Sequence, residues 1–248
     1  MHFTKLLKKL MTVLSIFIIA QAGLFAQENN SDSDNIEIFI FGGYGSDKVS
    51  ADIFDISYTS KEAVLGCEGT GFFRPVDFFG IGVLLGVGGT VGLTDDMEMT
   101  DAFGPGRTLF TGTKKGNNGS GLTWSYYMEV GPAIAFYIAD ILRLEADFCF
   151  TVGYRRDNSF SYKGEDEDGW KFDVNTYLKT QYGGFSTGVQ AKLFPDKSFG
   201  PIIGWRYTKG YSGNIDIYTH PSKWADDDFN CDYSFVRNTF YVGFTYTI

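Results

Sequence analysis

At 248 residues, with 31 glycines, 43 aromatic residues (24 Phe, 15 Tyr, 4 Trp) and only 6 prolines, the chain has the composition of a strand-rich fold. Its formal charge of -9 at pH 7 offers no basic stripe to neutralise phosphates, which excludes nucleic acid as a partner. Three widely spaced cysteines, Cys67, Cys149 and Cys231, form neither a disulfide framework nor a zinc site, and no motif calls for a cofactor.

The first 26 residues read as a secretory signal peptide. Lys5, Lys8 and Lys9 make a basic front, Leu10–Ala20 an apolar middle, and "LFAQ" a small-residue cleavage site after Ala26. The apolar middle is short for a membrane span. Loss of three lysines with this segment takes the charge from -9 to -12. A polar lead-in, "QENNSDSDN", occupies 27–35, and one large β domain is expected over 36–248.

Within that domain the pattern is a period of two. The first strand is "IEIFIFGGYG" from Ile36, followed by a polar stretch at 47–60. "EAVLGCEGTGFF" comes next, with Glu62 and Glu68 on one face and Leu65, Cys67 and Phe73 on the other. After a tight "RPVD" corner, Phe79, Ile81, Val83, Leu85, Val87 and Val91 share one parity, while the other is mostly glycine. Glycine at alternate positions suits a strand beside a crowded interior better than a transmembrane helix. A polar segment at 94–121 precedes "WSYYMEVGPAIAFY", which an "IADI" corner joins to "LRLEADFCFTVGY". Further on come a polar segment at 155–174, the strand "TYLKTQYGGFSTGVQAKLF", a "PDKS" corner, the strand "FGPIIGWRYT", a polar segment at 209–232 and the last strand, "NTFYVGFTYTI".

"LRLEADFCFTVGY" poses the central question. Leu142, Leu144, Phe148, Phe150 and Val152 share one face, and Arg143, Glu145 and Asp147 the other. A soluble barrel would turn the apolar row inward; an outer-membrane barrel would turn it to lipid. The connections decide, because they alternate long and short along the whole chain, as they do in outer-membrane barrels with short periplasmic turns and long outer loops. Eight strands also close without an exposed edge. The fold expected is therefore all-β, an eight-stranded antiparallel up-and-down transmembrane β-barrel.

The last strand carries a family resemblance. Phe240, Val242, Phe244, Tyr246 and Ile248 alternate with Thr239, Tyr241, Gly243, Thr245 and Thr247. This resembles the C-terminal signal of bacterial outer-membrane barrels, although most such signals end in phenylalanine or tryptophan. With the signal peptide and eight segments, the chain is similar to the small eight-stranded family of OmpW, OmpX and OmpA-transmembrane-domain types, and to small spirochaete barrels. The resemblance implies an outer membrane of a diderm bacterium as location. It implies outer-membrane lipid and the barrel-assembly machinery, through Phe240–Ile248, as partners, with an extracellular partner at the loops. Trp124, Tyr126, Tyr154 and Tyr207 fit an aromatic girdle at the loop ends of their strands.

The inward rows supply the candidate site. Glu62, Glu68, Glu129, Arg143, Glu145, Asp147, Lys192 and Arg206 would share the lumen. Gly131, Ala133 and Ala135 are expected opposite the charges of the fifth strand, leaving them room. Buried charges need partners, so a salt-bridge network that plugs the barrel or leaves a narrow passage is expected. The acidic loop clusters Asp95, Asp96, Glu98 and Asp101, Glu165–Asp168 and Asp226–Asp228 read as solvated surface. "GEDEDGWKFDVN" fails as a calcium loop, because aligning Gly169 puts Gly164 and Asn175 at ligand positions, and no metal site is expected.

Two other functions remain open on sequence. His220 and Ser222 in "THPSKW" are similar to the base–nucleophile pair of small lipid A deacylase barrels, but Lys223 stands where that family has asparagine. A secreted, lipocalin-like ligand-binding barrel is the third reading. The leading expectation is a non-enzymatic outer-membrane barrel of structural, surface-interaction or narrow-solute type.

Overall fold

The computed structural model describes residues 36–51, 56–99, 123–139, 141–165, 171–195, 197–220 and 227–247. They form eight strands: β1 (Ile36–Ala51), β2 (Ile56–Val76), β3 (Phe79–Met99), β4 (Trp124–Ile138), β5 (Leu142–Glu165), β6 (Lys171–Leu193), β7 (Phe199–His220) and β8 (Asp227–Thr247). Each pairs antiparallel with the next, and β8 returns to β1, with Ile40 opposite Phe244 and Gly43 opposite Tyr241. The barrel is closed, so no strand edge is left to pair elsewhere. The signal peptide and lead-in expected over 1–35 lie outside the described residues.

Three short corners join β2–β3, β4–β5 and β6–β7. Ala139 and Phe194 adopt φ of 50° and 56°, the left-handed conformation that lets two of these corners reverse the chain within a few residues. The glycine-rich run after "RPVD" is a strand, β3, as its alternating glycines require.

The four other connections differ from expectation. Strand pairing runs deep into segments that read as polar loops, reaching Ile56↔Met99 in β2–β3, Glu165↔Lys171 in β5–β6 and Ile217↔Asp227 in β7–β8. The reason is physical. Beyond the hydrocarbon, both faces of a strand meet water or polar groups, so the main-chain ladder persists while the apolar alternation that announces a strand disappears. β5 has 24 residues, whereas a tilted membrane strand needs about 9–11, so the wall continues well past the lipid.

The two faces of the wall are opposite in character. Outside, Leu65, Phe148, Phe150, Ile203, Phe240 and Val242 form part of a continuous apolar belt, and Phe150 is 69 % exposed. Inside, Arg143, Glu145, Asp147, Lys192 and Arg206 are buried, Asp147 to 6 %. The lipocalin-like alternative required the reverse and is overturned. Aromatic rings mark the upper rim, where Trp124, Tyr126 and Tyr154 cluster with centroids 5.4–6.0 Å apart. Phe79–Phe136 and Phe199–Phe244 do the same at the corner end, at 5.3 and 5.1 Å.

Inward glycines make the crowded interior possible. A Cβ on Gly88 would stand 2.4 Å from the Tyr127 ring, and one on Gly204 would stand 2.4 Å from the Tyr241 ring. In both cases a ring on a neighbouring strand occupies the space a side chain would need.

Candidate functional site

The period-two alternation places every other residue of each strand in the lumen, and the closed ring brings those rows within reach of one another. The charged side chains assemble at three levels. At the corner end, Arg143 on β5 donates from Nη1 to Glu37 on β1 at 2.8 Å and also pairs with Glu145. Lys192 on β6 reaches the same Glu37 at 2.7 Å, and Gln190 donates to Glu145 at 2.6 Å. Two carboxylates therefore meet two cations.

The middle level is built on Arg206 of β7. Its guanidinium contacts Glu68 on β2, Glu129 on β4 and Asp147 on β5, the last at 3.0 Å. Ser186 donates to Glu129 at 2.7 Å, and Tyr241 ties this level to the corner end by donating to Gln190 at 2.9 Å. Space comes from glycine: a Cβ on Gly188 would lie 2.6 Å from Asp147 Oδ2, and one on Gly86 2.8 Å from Glu68 Cγ. Three carboxylates share one arginine here.

At the loop end, Arg155 contacts Asp47 on β1, Glu62 on β2 at 3.0 Å and Asp157 at 2.6 Å. Arg237 on β8 pairs with Asp47 at 2.9 Å and Glu62 at 3.2 Å, and donates to Ser125 on β4 at 3.1 Å. Tyr233 donates to Asp157 at 3.0 Å. All these groups are buried, as a charge held away from water must be paired to persist.

The structure places Arg143, Glu145 and Lys192 at the corner end, Glu68, Glu129, Asp147 and Arg206 at the middle level and Glu62 at the loop end. The small-residue expectation needs correction at one end. Ala135 and Ala133 do face Glu145 and Asp147, but Arg143 stands opposite Tyr137, and Gly131 packs against the β5 backbone at Phe148 and Cys149. The Arg143 guanidinium lies 5.7 Å from the Tyr137 ring and 5.2 Å from Phe72, so its neighbours are aromatic faces. Cys67 and Cys149 are both free thiols.

Five members of the network were missed: Glu37, Asp47, Arg155, Asp157 and Arg237. Arg155 and Asp157 merely continue the parity of Arg143, Glu145 and Asp147, and extending that row by two positions would have found them. Glu37 is hidden because β1 buries Phe39 and Phe41 on the same inward face, which blurs its alternation, and Asp47 because it falls in the stretch 47–60 that reads as polar connection. His220 is the last residue of β7, opposite Asn175, and its side chain lies outside the described residues, as do Ser222 and the side chains of the acidic loop clusters.

A closed barrel with an apolar exterior and a charged interior satisfies every main-chain hydrogen bond within its own wall and presents hydrocarbon only with apolar groups. This is the fold of a small outer-membrane β-barrel. It is suited to crossing a lipid bilayer with its strands.

No family model and no curated protein matches the chain. Among solved structures, it is similar to the outer membrane protease OmpT from Escherichia coli, at 11 % identity, 89 % coverage of this chain, 99 % of that chain and a TM-score of 0.45. It is also similar to Ail, the attachment invasion locus protein of Yersinia pestis, with 13 % identity, coverages of 87 % and 99 % and a TM-score of 0.38. The outer membrane protein OprG from Pseudomonas aeruginosa gives 11 %, 87 %, 97 % and 0.39. The membrane placement stands on the two faces of this barrel's own wall.

Proposed function

We propose that this barrel is sealed and serves as a structural and surface-display element of the outer membrane, with its tall outer wall carrying the loops that meet partners outside the cell. The observation that carries this reading is the crossing of the lumen at three successive levels by buried ion pairs joining opposite walls, β1 to β5 and β2 to β7 among them. An eight-stranded barrel is just wide enough for side chains to fill, and here long charged and aromatic ones do so. The outward row Phe240, Val242, Phe244 and Tyr246 of β8 is the face offered to lipid and to the assembly machinery.

The test is solute entry into proteoliposomes. Vesicles loaded with impermeant sugar and carrying the folded barrel should swell no faster in small amino acids or sugars than empty vesicles. A second reading, a narrow cation passage, draws on the excess of carboxylates around Arg206. It requires cation-selective flux in the same vesicles.

A further inference from the structure

The β6–β7 ladder opens once along the outer wall. Pairing runs through Lys179↔Asp216 and resumes at Gly183↔Tyr211, so Thr180, Gln181 and Tyr182 stand beside four residues of β7, Ser212–Ile215. β7 also slips against β8 between Ser212 and Asn214, where Gly213 alone stands beside two residues of β8, 231 and 232, in a bulge. The bulge is held internally: Ser212 Oγ donates to the Asn214 carbonyl at 2.8 Å and accepts from its N–H at 3.2 Å.

Where the strands part, a cleft of about 390 Å³ lies between Tyr154, Lys179 and Gln181 on one side and Ser212, Asn214 and Asp216 on the other. A Cβ added to Gly183 or Gly213 beside it would meet nothing within 4 Å. Thr180 also lines it, although it belongs to the buried, lumen-facing row of β6 with Leu178 and Tyr182. Thr180 is 2 % exposed, and its Oγ1 has no hydrogen-bond partner. That hydroxyl faces the lumen and is closed to water, so the groups the cleft offers a ligand are those of its exposed side.

The lining selects a ligand class. One lysine and one aspartate, opposite each other in the ladder, give it no net charge, whereas a phosphate or sulfate site needs converging cations. The remaining accessible groups are the Ser212 hydroxyl, the carboxamides of Gln181 and Asn214 and a tyrosine ring, which together suit a ligand dense in hydroxyls with one apolar face. Tyr154 also belongs to the upper aromatic cluster, 5.6 Å from Tyr126, so the cleft begins at the headgroup layer. The volume is at the small end of ligand sites and accommodates one or two sugar rings. We propose that this cleft binds a neutral hexose unit, presented either as the headgroup of an outer-leaflet glycolipid or as a free saccharide. The cleft lies on the outer wall, so the proposal is independent of whether the lumen conducts.

The experiment uses the folded, isotope-labelled barrel in phosphatidylcholine nanodiscs, read by amide chemical shifts. In one arm maltose is titrated as the free sugar; in the other, digalactosyl diacylglycerol replaces part of the phosphatidylcholine. Shifts confined to 179–183 and 212–216 are expected, with the glycolipid alone if the ligand is a headgroup and with maltose as well if it is a free saccharide. Gln181→Ala and Asn214→Ala alter exposed side chains that line the cleft, so both variants should fold. Each should weaken binding about tenfold. Absence of localised shifts in both arms, or shifts that both substitutions leave unchanged, would overturn the proposal.

Discussion

Arg143 Nη1 donates to Glu37 Oε1 at 2.8 Å across the full width of the lumen, joining β5 to β1, strands four positions apart in a ring of eight. Both side chains are buried, and Lys192 shares the same carboxylate. Such a pair acts as a strut whose halves depend on one another. Removing one partner leaves an uncompensated buried charge and costs about 3–5 kcal/mol. Arg143→Met or Glu37→Gln alone should therefore lower the urea midpoint in micelles, and the double variant should lose clearly less than the sum. Additive losses would mean that the strut does not couple the walls.

The ring-on-glycine contacts make a second prediction. Gly204→Ala puts a Cβ 2.4 Å from the Tyr241 ring, an overpacking expected to destabilise by about 1–3 kcal/mol. In a Tyr241→Ala background the same change should be nearly neutral. Thermal melting of the four proteins, followed by gel mobility, reads the difference.

How much of this was legible in the sequence depended on where water stops. In the hydrocarbon belt, Leu142–Val152 alternate so strictly that strand, face and neighbours followed from spacing alone, and the connections supplied the direction inward. Above the belt that logic lapsed. Lys171–Asn175 pair as a strand, yet only Phe172 and Val174 carry an apolar parity there, too short a run to separate a strand from a polar loop. The lumenal partners were harder still. That Arg206 would meet Glu68, Glu129 and Asp147 rather than Glu145 depends on register and stagger around the ring, which no single strand encodes. Glu37 is masked by the inward phenylalanines Phe39 and Phe41 that follow it on its own strand.

The lipid-facing row should show depth. Phe150 lies within the apolar belt and Ile138 beside the β4–β5 corner, and both are exposed. Phe150→Lys should destabilise folding into vesicles by about 2–4 kcal/mol, and Ile138→Lys by about 0–1 kcal/mol. Equal effects at the two positions would contradict the membrane placement.

The tall wall is testable by hydrogen exchange. Because β5 and β6 remain paired through Glu165↔Lys171, hydrogen-bonded amides should exchange slowly beyond Arg156 toward Glu165. Fast exchange throughout 158–165 would confine the ladder to the membrane.

The central claim, that side chains seal the lumen, is tested most directly by current through planar bilayers containing the purified barrel. The wild-type protein should give no steady conductance. A variant in which Glu68, Glu129, Asp147 and Arg206 are all replaced by alanine, clearing the middle level without stranding a charge there, should keep the other two seals and stay closed as well. Clearing all three levels should open a path. Steady, reproducible open-channel current from the wild-type barrel would contradict the account.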